Sequence, residues 1–232
     1  MFITGCAPED QYKPEIVGTV RGPRPIYNTD PIPTPVPPKP TPTPTRTSST
    51  RLDGKVIIVD PGHGGRDPGA GEVGYSKAPE KTINLAVAKD VAMHLKEAGA
   101  KVVMTRTGDT FVKLENRAAA ADRYRVDLLV SIHANSFPDS RTNGASLYVA
   151  KRSSSTSRKV ARGISSAFTS AGIKSNGTLK EDFKVLALHS RPAVLVECGY
   201  LTNRIEARNL NTNWYRKKVA RRIAEGIKNS LR

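Results

Sequence analysis

The sequence KVIIVDPG at positions 55–62 decides the fold class, because a short β-branched run ends there in a Pro-Gly turn. This pattern predicts a strand over 55–60. The next periodic segment, 80–98, repeats apolar residues at a spacing of four, at Ile83, Val87, Val91 and Leu95. That spacing is typical of an amphipathic helix, and Gly99 predicts its end.

The same alternation of strand and helix continues to the end of the chain. Further strands are predicted at 101–106, 127–133, 144–150 and 192–197, and further helices at 113–125, 155–171 and 215–231. Apolar strands that alternate with helices indicate an α/β fold with a largely parallel twisted sheet. We expect about six strands, helices on both faces and a single catalytic domain over 53–232.

The first part of the chain has a different composition. Residues 1–21 form an N-terminal segment, and residues 22–52 are rich in proline and threonine. Thr-Pro repeats favour polyproline II, which predicts a semi-rigid linker, with a disordered tail as the alternative.

Cys6 follows Ile3-Thr4-Gly5, a run that resembles the end of a bacterial lipoprotein signal. Such a signal also needs a charged start and an apolar stretch, and five residues precede Cys6 here. We expect lipidation of Cys6 and membrane attachment through it, against the alternative of a chance match to a short pattern. The expected location is the cell envelope, that is, the periplasm, with the acylated form an outer-membrane lipoprotein.

The chain carries a formal net charge of +16, of which +14 falls on residues 53–232. Such a charge attracts polyanions, including nucleic acid, anionic lipid and cell wall. We expect no nucleic-acid partner, because the sequence has no zinc-finger spacing, no RNP-like motif and no recognition helix. Basic residues of the last predicted helix are candidates for a wall-binding surface or an ordinary solvated face: Arg216, Lys217, Lys218, Arg221 and Arg222.

Polar residues at predicted strand ends indicate a metal site. His63, His133 and Glu197 each lie at or just past a strand end, and Glu80 begins the first helix. Functional groups of such folds gather at this edge of the sheet. Two histidines and one glutamate suit Zn²⁺ with a fourth position left for water, and Glu197 then suits a general base.

Each of these residues has an ordinary alternative role, and other residues compete with them. Glu80 at a helix start also complements the helix dipole. Glu72 is an alternative carboxylate ligand, His189 an alternative substrate contact, and Asp60 either orients a ligand histidine or caps the turn.

Four motifs in order resemble the type 3 family of zinc N-acetylmuramoyl-L-alanine amidases: VDPGHGGRDPGA at 59–70, EKTINLAVA at 80–88, SIHAN at 131–135 and PAVLVECGYLTN at 192–203. The resemblance implies hydrolysis of the amide between the lactyl group of N-acetylmuramic acid and L-alanine in peptidoglycan.

The resemblance also implies site residues. It assigns His63, Glu80 and His133 as zinc ligands and Glu197 as the catalytic glutamate, with Arg106 and Asn135 as weaker candidates for substrate binding. The Cys6 pattern and the proline-rich linker indicate a role in cell-wall remodelling or daughter-cell separation, and the sequence leaves open whether an activator protein is needed. The short segment 151–183 predicts no self-blocking helix of the kind some members carry.

Two other functions compete with the amidase. Another zinc peptidoglycan hydrolase, such as a carboxypeptidase or deacetylase, would use the same ligands. A non-catalytic basic lipoprotein that binds cell wall would explain the charge, and its function would survive Glu197→Gln.

Overall fold

The computed structural model of the protein describes residues 52–70 and 75–231. The predicted N-terminal segment, the linker up to residue 51, Cys6 and Glu72 lie outside these residues. The strands are β1 (Val56–Pro61), β2 (Lys101–Met104), β3 (Leu128–Asn135), β4 (Ala145–Val149), β5 (Ser175–Lys180) and β6 (Ala193–Tyr200). The helices are α1 (Glu80–Glu97), α2 (Leu114–Arg123), α3 (Ser155–Ser170), α4 (Lys184–Ala187), α5 (Arg204–Leu210) and α6 (Asn213–Ser230).

The six strands form one sheet in the order β2-β1-β3-β6-β4-β5. All neighbouring pairs are parallel except β4 with β6, which is antiparallel. The prediction of an α/β fold with a largely parallel sheet of about six strands is therefore confirmed.

Helices cover both faces of this sheet, so its central strands are buried on both sides. In β1, Ile57 and Val59 pack into the larger core cluster with α1, α3 and α6, whereas Ile58 packs into a smaller cluster with α2 and α4. Successive strand residues point to opposite faces, so a continuous apolar run is what a doubly covered strand needs.

The central strands bring their carboxyl ends together at one edge of the sheet. Pro61 at the end of β1 pairs with Ile132 of β3, and His133 of β3 pairs with Glu197 of β6. Three separate chain segments therefore meet where functional groups of α/β folds gather.

Three elements were not predicted from the sequence. Strand β5 has the sequence SNGTLK, with no buried residue, and α4 and α5 are helices of four and seven residues. Helix α3, within the predicted range 155–171, packs against α6, β4 and β5. Among the described residues, no helix combines the length and apolar character needed to cross a bilayer.

Candidate metal centre

The carboxylate of Glu80 contacts both predicted histidine ligands. Its Oε2 lies 3.2 Å from Nε2 of His63, and its Oε1 lies 3.0 Å from Nδ1 of His133. The ring centroids of the two histidines are 5.0 Å apart. One ligand atom from each residue can be chosen so that all three lie within 4.8 Å of one another. The structure thus brings together His63, Glu80 and His133, which the sequence placed on three separate elements.

Backbone geometry makes room for this cluster. His63 has a φ of 60°, a left-handed conformation that a residue with a side chain rarely adopts. A Cβ on Gly62 would lie 2.2 Å from the ring of His133, and one on Gly69 would lie 2.5 Å from Oε2 of Glu80. Glycine is therefore required at both positions.

Glu80 is fixed by donors besides the two histidines. Its oxygens accept hydrogen bonds from Asn84 Nδ2 (3.0 Å), the amide of Ala70 (2.9 Å) and the amide of Ala134 (3.2 Å). Burial by itself would raise the pKa of Glu80. The hydrogen bonds and charges of His133 and His63 outweigh burial and hold this pKa far below its usual range.

His63 has a second acidic neighbour. Its Nδ1 lies 2.9 Å from Oδ2 of Asp67, which orients the ring so that Nε2 faces Glu80. Burial lowers the pKa of His63, but hydrogen bonds and charge from Glu80 and Asp67 more than offset this and raise it to about 9. An outer carboxylate on a ring nitrogen is the usual support of a metal-binding histidine.

Glu197 lies on β6 beside His133 of β3. Its Oε2 is buried, and no hydrogen-bond partner for it exists within the described residues. Burial raises the pKa of Glu197 to about 7; His133 and His63 oppose this rise and Glu80 adds to it. A carboxyl group with a pKa near neutrality can both take and return a proton.

Behind the cluster lies a buried ion pair that the sequence did not reveal. Arg117 donates to Oδ1 of Asp60 (2.7 Å) and to the carbonyl of His63 (2.7 Å). Asp60 also accepts from Thr105 Oγ1 (2.5 Å) and Ser131 Oγ (2.6 Å). Arg117 thus links Asp60 to the backbone of His63, so the buried ion pair supports the loop on which His63 lies.

Arg106, predicted as a substrate contact, is 2% exposed. Its guanidinium donates to four backbone carbonyls, those of Pro61, Gly62, Lys81 and Gly108. This burial favours a role in positioning the loop after β1 over direct contact with a polymer.

The other candidates lie at the edge of the site or away from it. Asn135 ends β3, where its Oδ1 accepts a hydrogen bond from the amide of Ser136 (2.8 Å). In His189, Nε2 lies 2.9 Å from the carbonyl of Val185, and Nδ1 accepts from the amide of Arg191. His189 thus has partners for both ring nitrogens, which leaves it less suited to substrate contact.

A cavity of about 300 Å³ opens beside the cluster. Its lining includes polar residues and a glycine: Asp60, Gly62, His63, Asp67, Arg117 and His133. It also includes apolar residues: Phe111, Val112, Leu114 and Val185. Two imidazoles and one carboxylate beside an open cavity match the ligands and the vacant position of a catalytic zinc site.

Comparison with known proteins gives concordant matches. Residues 57–229 match the family Amidase_3, N-acetylmuramoyl-L-alanine amidase. The uncharacterized protein YqiI of Bacillus subtilis is 38% identical over 177 residues, which cover 76% of this chain and 84% of YqiI. The probable cell wall amidase LytH of Staphylococcus epidermidis is 35% identical over 182 residues, covering 78% of this chain and 60% of LytH, so the chain spans less than two thirds of that relative.

A solved structure agrees with these matches. The catalytic domain of CwlV, an N-acetylmuramoyl-L-alanine amidase from Bacillus (Paenibacillus) polymyxa var. colistinus, superposes with a TM-score of 0.70 at 39% identity. The alignment covers 76% of this chain and 98% of that domain.

Proposed function

Because this chain belongs to the Amidase_3 family and is an N-acetylmuramoyl-L-alanine amidase, we propose that it hydrolyses the amide between the lactyl group of N-acetylmuramic acid and L-alanine with a zinc ion and a glutamate base. The observation that carries the proposal is the cluster of His63, Glu80 and His133, together with Glu197, which pairs with His133 in the sheet and whose Oε2 is buried without a partner among the described residues. Two of these residues, His63 and His133, line the cavity.

His63, Glu80 and His133 are the residues that would hold the zinc ion. When bound, zinc makes a water molecule more acidic and polarises a carbonyl oxygen. Metal ligands must be deprotonated, so His63 would have to release the proton that Glu80 and Asp67 favour on it before it could hold the ion.

Glu197 is proposed as the general base and then the general acid. As base it takes a proton from the attacking water, which forms the new C–O bond at the lactyl carbonyl. When the C–N bond breaks, Glu197 returns this proton to the leaving amine of L-alanine. A cation held beside it would lower its pKa of about 7 and increase the basic fraction at neutral pH.

The cavity wall is proposed to orient the substrate. Its apolar residues, which include Phe111, Leu114 and Val185, suit the methyl groups of the lactyl and alanyl units. Asn135, at the end of β3, is kept as a candidate for a polar contact to the peptide.

The biological setting is proposed from the sequence. The probable cell wall amidase among the relatives is consistent with action outside the cytoplasm. We propose that residues 53–232 are the catalytic domain, that 22–52 form a linker and that acylation of Cys6 in segment 1–21 attaches the chain to the membrane. We also propose an envelope location, in the periplasm or on the outer membrane, and a role in wall remodelling or daughter-cell separation. Both rest on the lipoprotein-like sequence before Cys6.

The membrane attachment is tested by labelling with palmitate. The label should be incorporated into the wild type and not into Cys6→Ser.

The activity is tested by digesting purified peptidoglycan with the full chain and identifying soluble products by mass spectrometry. We expect stem peptides with an unblocked L-alanine amine from the wild type and from Glu181→Gln, an exposed glutamate away from the cavity. Glu197→Gln should lower release by about 10²–10⁴-fold, the usual contribution of a general base. A chelator should abolish release, and added zinc should restore it.

Three results would contradict the proposal in different ways. Trimmed stems still joined to sugar would indicate a different zinc hydrolase. Release by Glu197→Gln at the wild-type rate would remove Glu197 from the mechanism. Wall binding without any release would favour the non-catalytic binding protein.

A further inference from the structure

A second cavity lies on the helical face of the molecule, between α1 and α6. Its volume is about 400 Å³, and it shares no lining residue with the cavity at the metal centre. Met93 and His94 of α1 form one side. The α6 side is formed by one aromatic and four basic residues: Trp214, Lys217, Lys218, Arg221 and Arg222. We refer to it as the α1–α6 groove.

The positive charge of the groove is largely uncompensated. Arg222 pairs with Glu225 at 2.6 Å, and His94 lies 3.1 Å from Glu97. Within residues 52–70 and 75–231, Lys217, Lys218 and Arg221 form no ion pair, and no acidic side chain lines the groove. Like charges on one helix face repel each other, and an anionic ligand relieves this repulsion.

The groove also exposes apolar surface to solvent. Trp214 is 69% exposed and Met93 is 44% exposed. The ammonium group of Lys218 lies 5.4 Å from the centre of the Trp214 ring, a cation–π contact that keeps the indole at the groove. An indole in this setting offers a flat apolar face with a polar edge, which suits the C–H face of a sugar ring.

We propose that the α1–α6 groove binds an uncut segment of a peptidoglycan strand, as a wall-binding site separate from the catalytic cavity. Sugar rings would lie against Trp214 and Met93, and the free carboxylates of stem peptides would pair with Lys217, Lys218 and Arg221. The inference rests on the proposed function for its choice of peptidoglycan as the anionic polymer.

The arrangement of the basic residues favours an extended polymer strand as the occupant of the groove. Along α6, Lys217 and Arg221 form one row and Lys218 and Arg222 a second, each with a spacing of four residues, or about 6 Å. Successive anionic groups of an extended polymer can contact such rows, and each added contact slows release.

The test measures retention of the full chain on insoluble peptidoglycan by sedimentation over a range of salt concentrations. All variants are made in a Glu197→Gln background to limit cutting. The groove variant is Lys217→Glu with Arg221→Glu, which are exposed on α6. The matched control is Lys159→Glu with Arg162→Glu, which are exposed on α3 and equal in charge change. Trp214→Ala tests the sugar contact, and thermal unfolding by circular dichroism verifies that each variant folds.

We expect the α6 pair to weaken wall binding by about tenfold and to reduce its salt dependence, because two attractive charges become repulsive. The α3 pair should stay within about twofold of its parent, since exposed charges outside a contact contribute little. Trp214→Ala should weaken binding at all salt concentrations, because its contact is not ionic.

Three outcomes would overturn the inference. Equal losses for the α3 and α6 pairs would mean that overall charge governs retention. Loss of binding after acid removes phosphate polymers from the wall would assign the groove to those polymers. Groove-dependent binding to anionic phosphatidylglycerol vesicles and not to peptidoglycan would assign it to membrane. Because retention is scored and not release, a failure of the amidase mechanism stays distinguishable from a failure of the groove.

Discussion

Glu80 determines the geometry of the candidate zinc site, because each of its carboxylate oxygens contacts a different histidine. Asn84 and the amides of Ala70 and Ala134 hold the same carboxylate from the other side. A ligand whose position is fixed by several donors keeps that position when an ion binds. The site is thus organised by the protein before the metal contributes.

Substitution of Gly69 by alanine tests how little space the cluster has. Gly69 has a φ of 68°, and an added Cβ would lie 2.5 Å from Oε2 of Glu80 and 2.6 Å from His63. Gly172 has a φ of 70° and no atom within 4 Å of an added Cβ. Both alanine variants should lose about 1 kcal/mol of stability to backbone strain. We expect only Gly69→Ala to lose bound zinc and activity.

Zinc per chain by mass spectrometry, together with stem-peptide release, measures this difference. Equal zinc content in Gly69→Ala and Gly172→Ala would show that the cluster tolerates the added methyl group and would contradict the prediction.

The buried pair of Asp60 and Arg117 should appear as pH-dependent stability. Burial would raise the pKa of Asp60, but the charge of Arg117 and hydrogen bonds from Ser131, Thr105 and Arg117 lower it below 3.8. A depressed carboxyl pKa contributes stability above the unfolded value, and this contribution is lost as the pH falls through the folded pKa. Asp60→Asn should therefore cost about 3 kcal/mol at pH 7, where a buried charge loses its partner.

Urea unfolding at pH 7 and at acid pH checks this prediction. The difference in free energy of unfolding between the wild type and Asp60→Asn should shrink as the pH falls below about 4, the ordinary pKa of an aspartate. Asp139→Asn is the control, since Asp139 pairs with Arg141 on the surface. A difference that is constant with pH would mean that packing and not charge accounts for the loss.

At the residue scale, sequence reasoning identified the cluster because its members end strands or begin a helix. The prediction of His63, Glu80, His133 and Glu197 as site residues required no information about side-chain contacts. Arg117 could not be found this way, because it lies within α2, away from any strand end.

Some supporting residues had a local signal in the sequence. Asp67 lies four residues after His63, and Asn84 lies four residues after Glu80 on the same face of α1. The expectation that Arg106 binds substrate came from its place near a strand end, and its burial indicates a different role.

At the scale of elements, helices α3 and α6 meet through glycines. A Cβ on Gly226 would lie 2.5 Å from the Cα of Ile164, and one on Gly163 would lie 2.9 Å from the carbonyl of Gly226. Main-chain atoms cannot rotate away from a new methyl group as a side chain can. The close approach of these helices therefore depends on both glycines.

Gly226→Ala should destabilise the protein by about 1–3 kcal/mol through overpacking. At an exposed helix position the same change would stabilise by up to about 1 kcal/mol, so the sign separates the two situations. Ser166→Ala, exposed on α3, is the control and should change stability by less than about 0.5 kcal/mol. Chemical denaturation measures all three proteins, and a stabilised Gly226→Ala would contradict the contact.

The elements that sequence predicted well are those with strong apolar periodicity, such as α1 and the central strands. Strand β5 was missed because Ser175–Lys180 lies at the sheet edge and buries no residue, so it needs no apolar run. The antiparallel direction of β4 could not be predicted from the sequence either. Four of its five residues are buried, as in the parallel strands, and strand direction depends on the path of the connecting chain.

At the scale of the whole molecule, the basic side chains near the metal centre differ from those on α6 in burial and in hydrogen bonding. Near the metal centre, Arg106 and Arg117 are buried and their donors are used by carbonyls and Asp60. On α6, Lys217 and Arg221 are exposed. Long-range attraction to an anionic wall would therefore come from surface charges that do not contact the metal centre. Added salt should weaken this attraction without altering the cluster of His63, Glu80 and His133.

Zinc removal should also be visible in the stability of the entire domain, because the proposed ligands come from three elements. His63 follows β1, Glu80 begins α1 and His133 lies in β3. An ion bound to the folded state stabilises it by about 2.7 kcal/mol at a free concentration 100 times its Kd. For a domain of this size, each kcal/mol shifts Tm by about 2–4 °C. Chelation should then lower Tm by about 5–10 °C.

Differential scanning calorimetry of zinc-loaded and chelated protein measures this shift, with His133→Ala as the matched comparison. The variant lacks one ligand, so zinc should raise its Tm far less than that of the wild type. Readdition of zinc should restore the wild-type Tm, because the ligands are held by Asn84, Asp67 and main-chain donors and not by the ion. A Tm unchanged by chelation, or an equal zinc effect in His133→Ala, would place the ion elsewhere and remove the basis for the proposed chemistry.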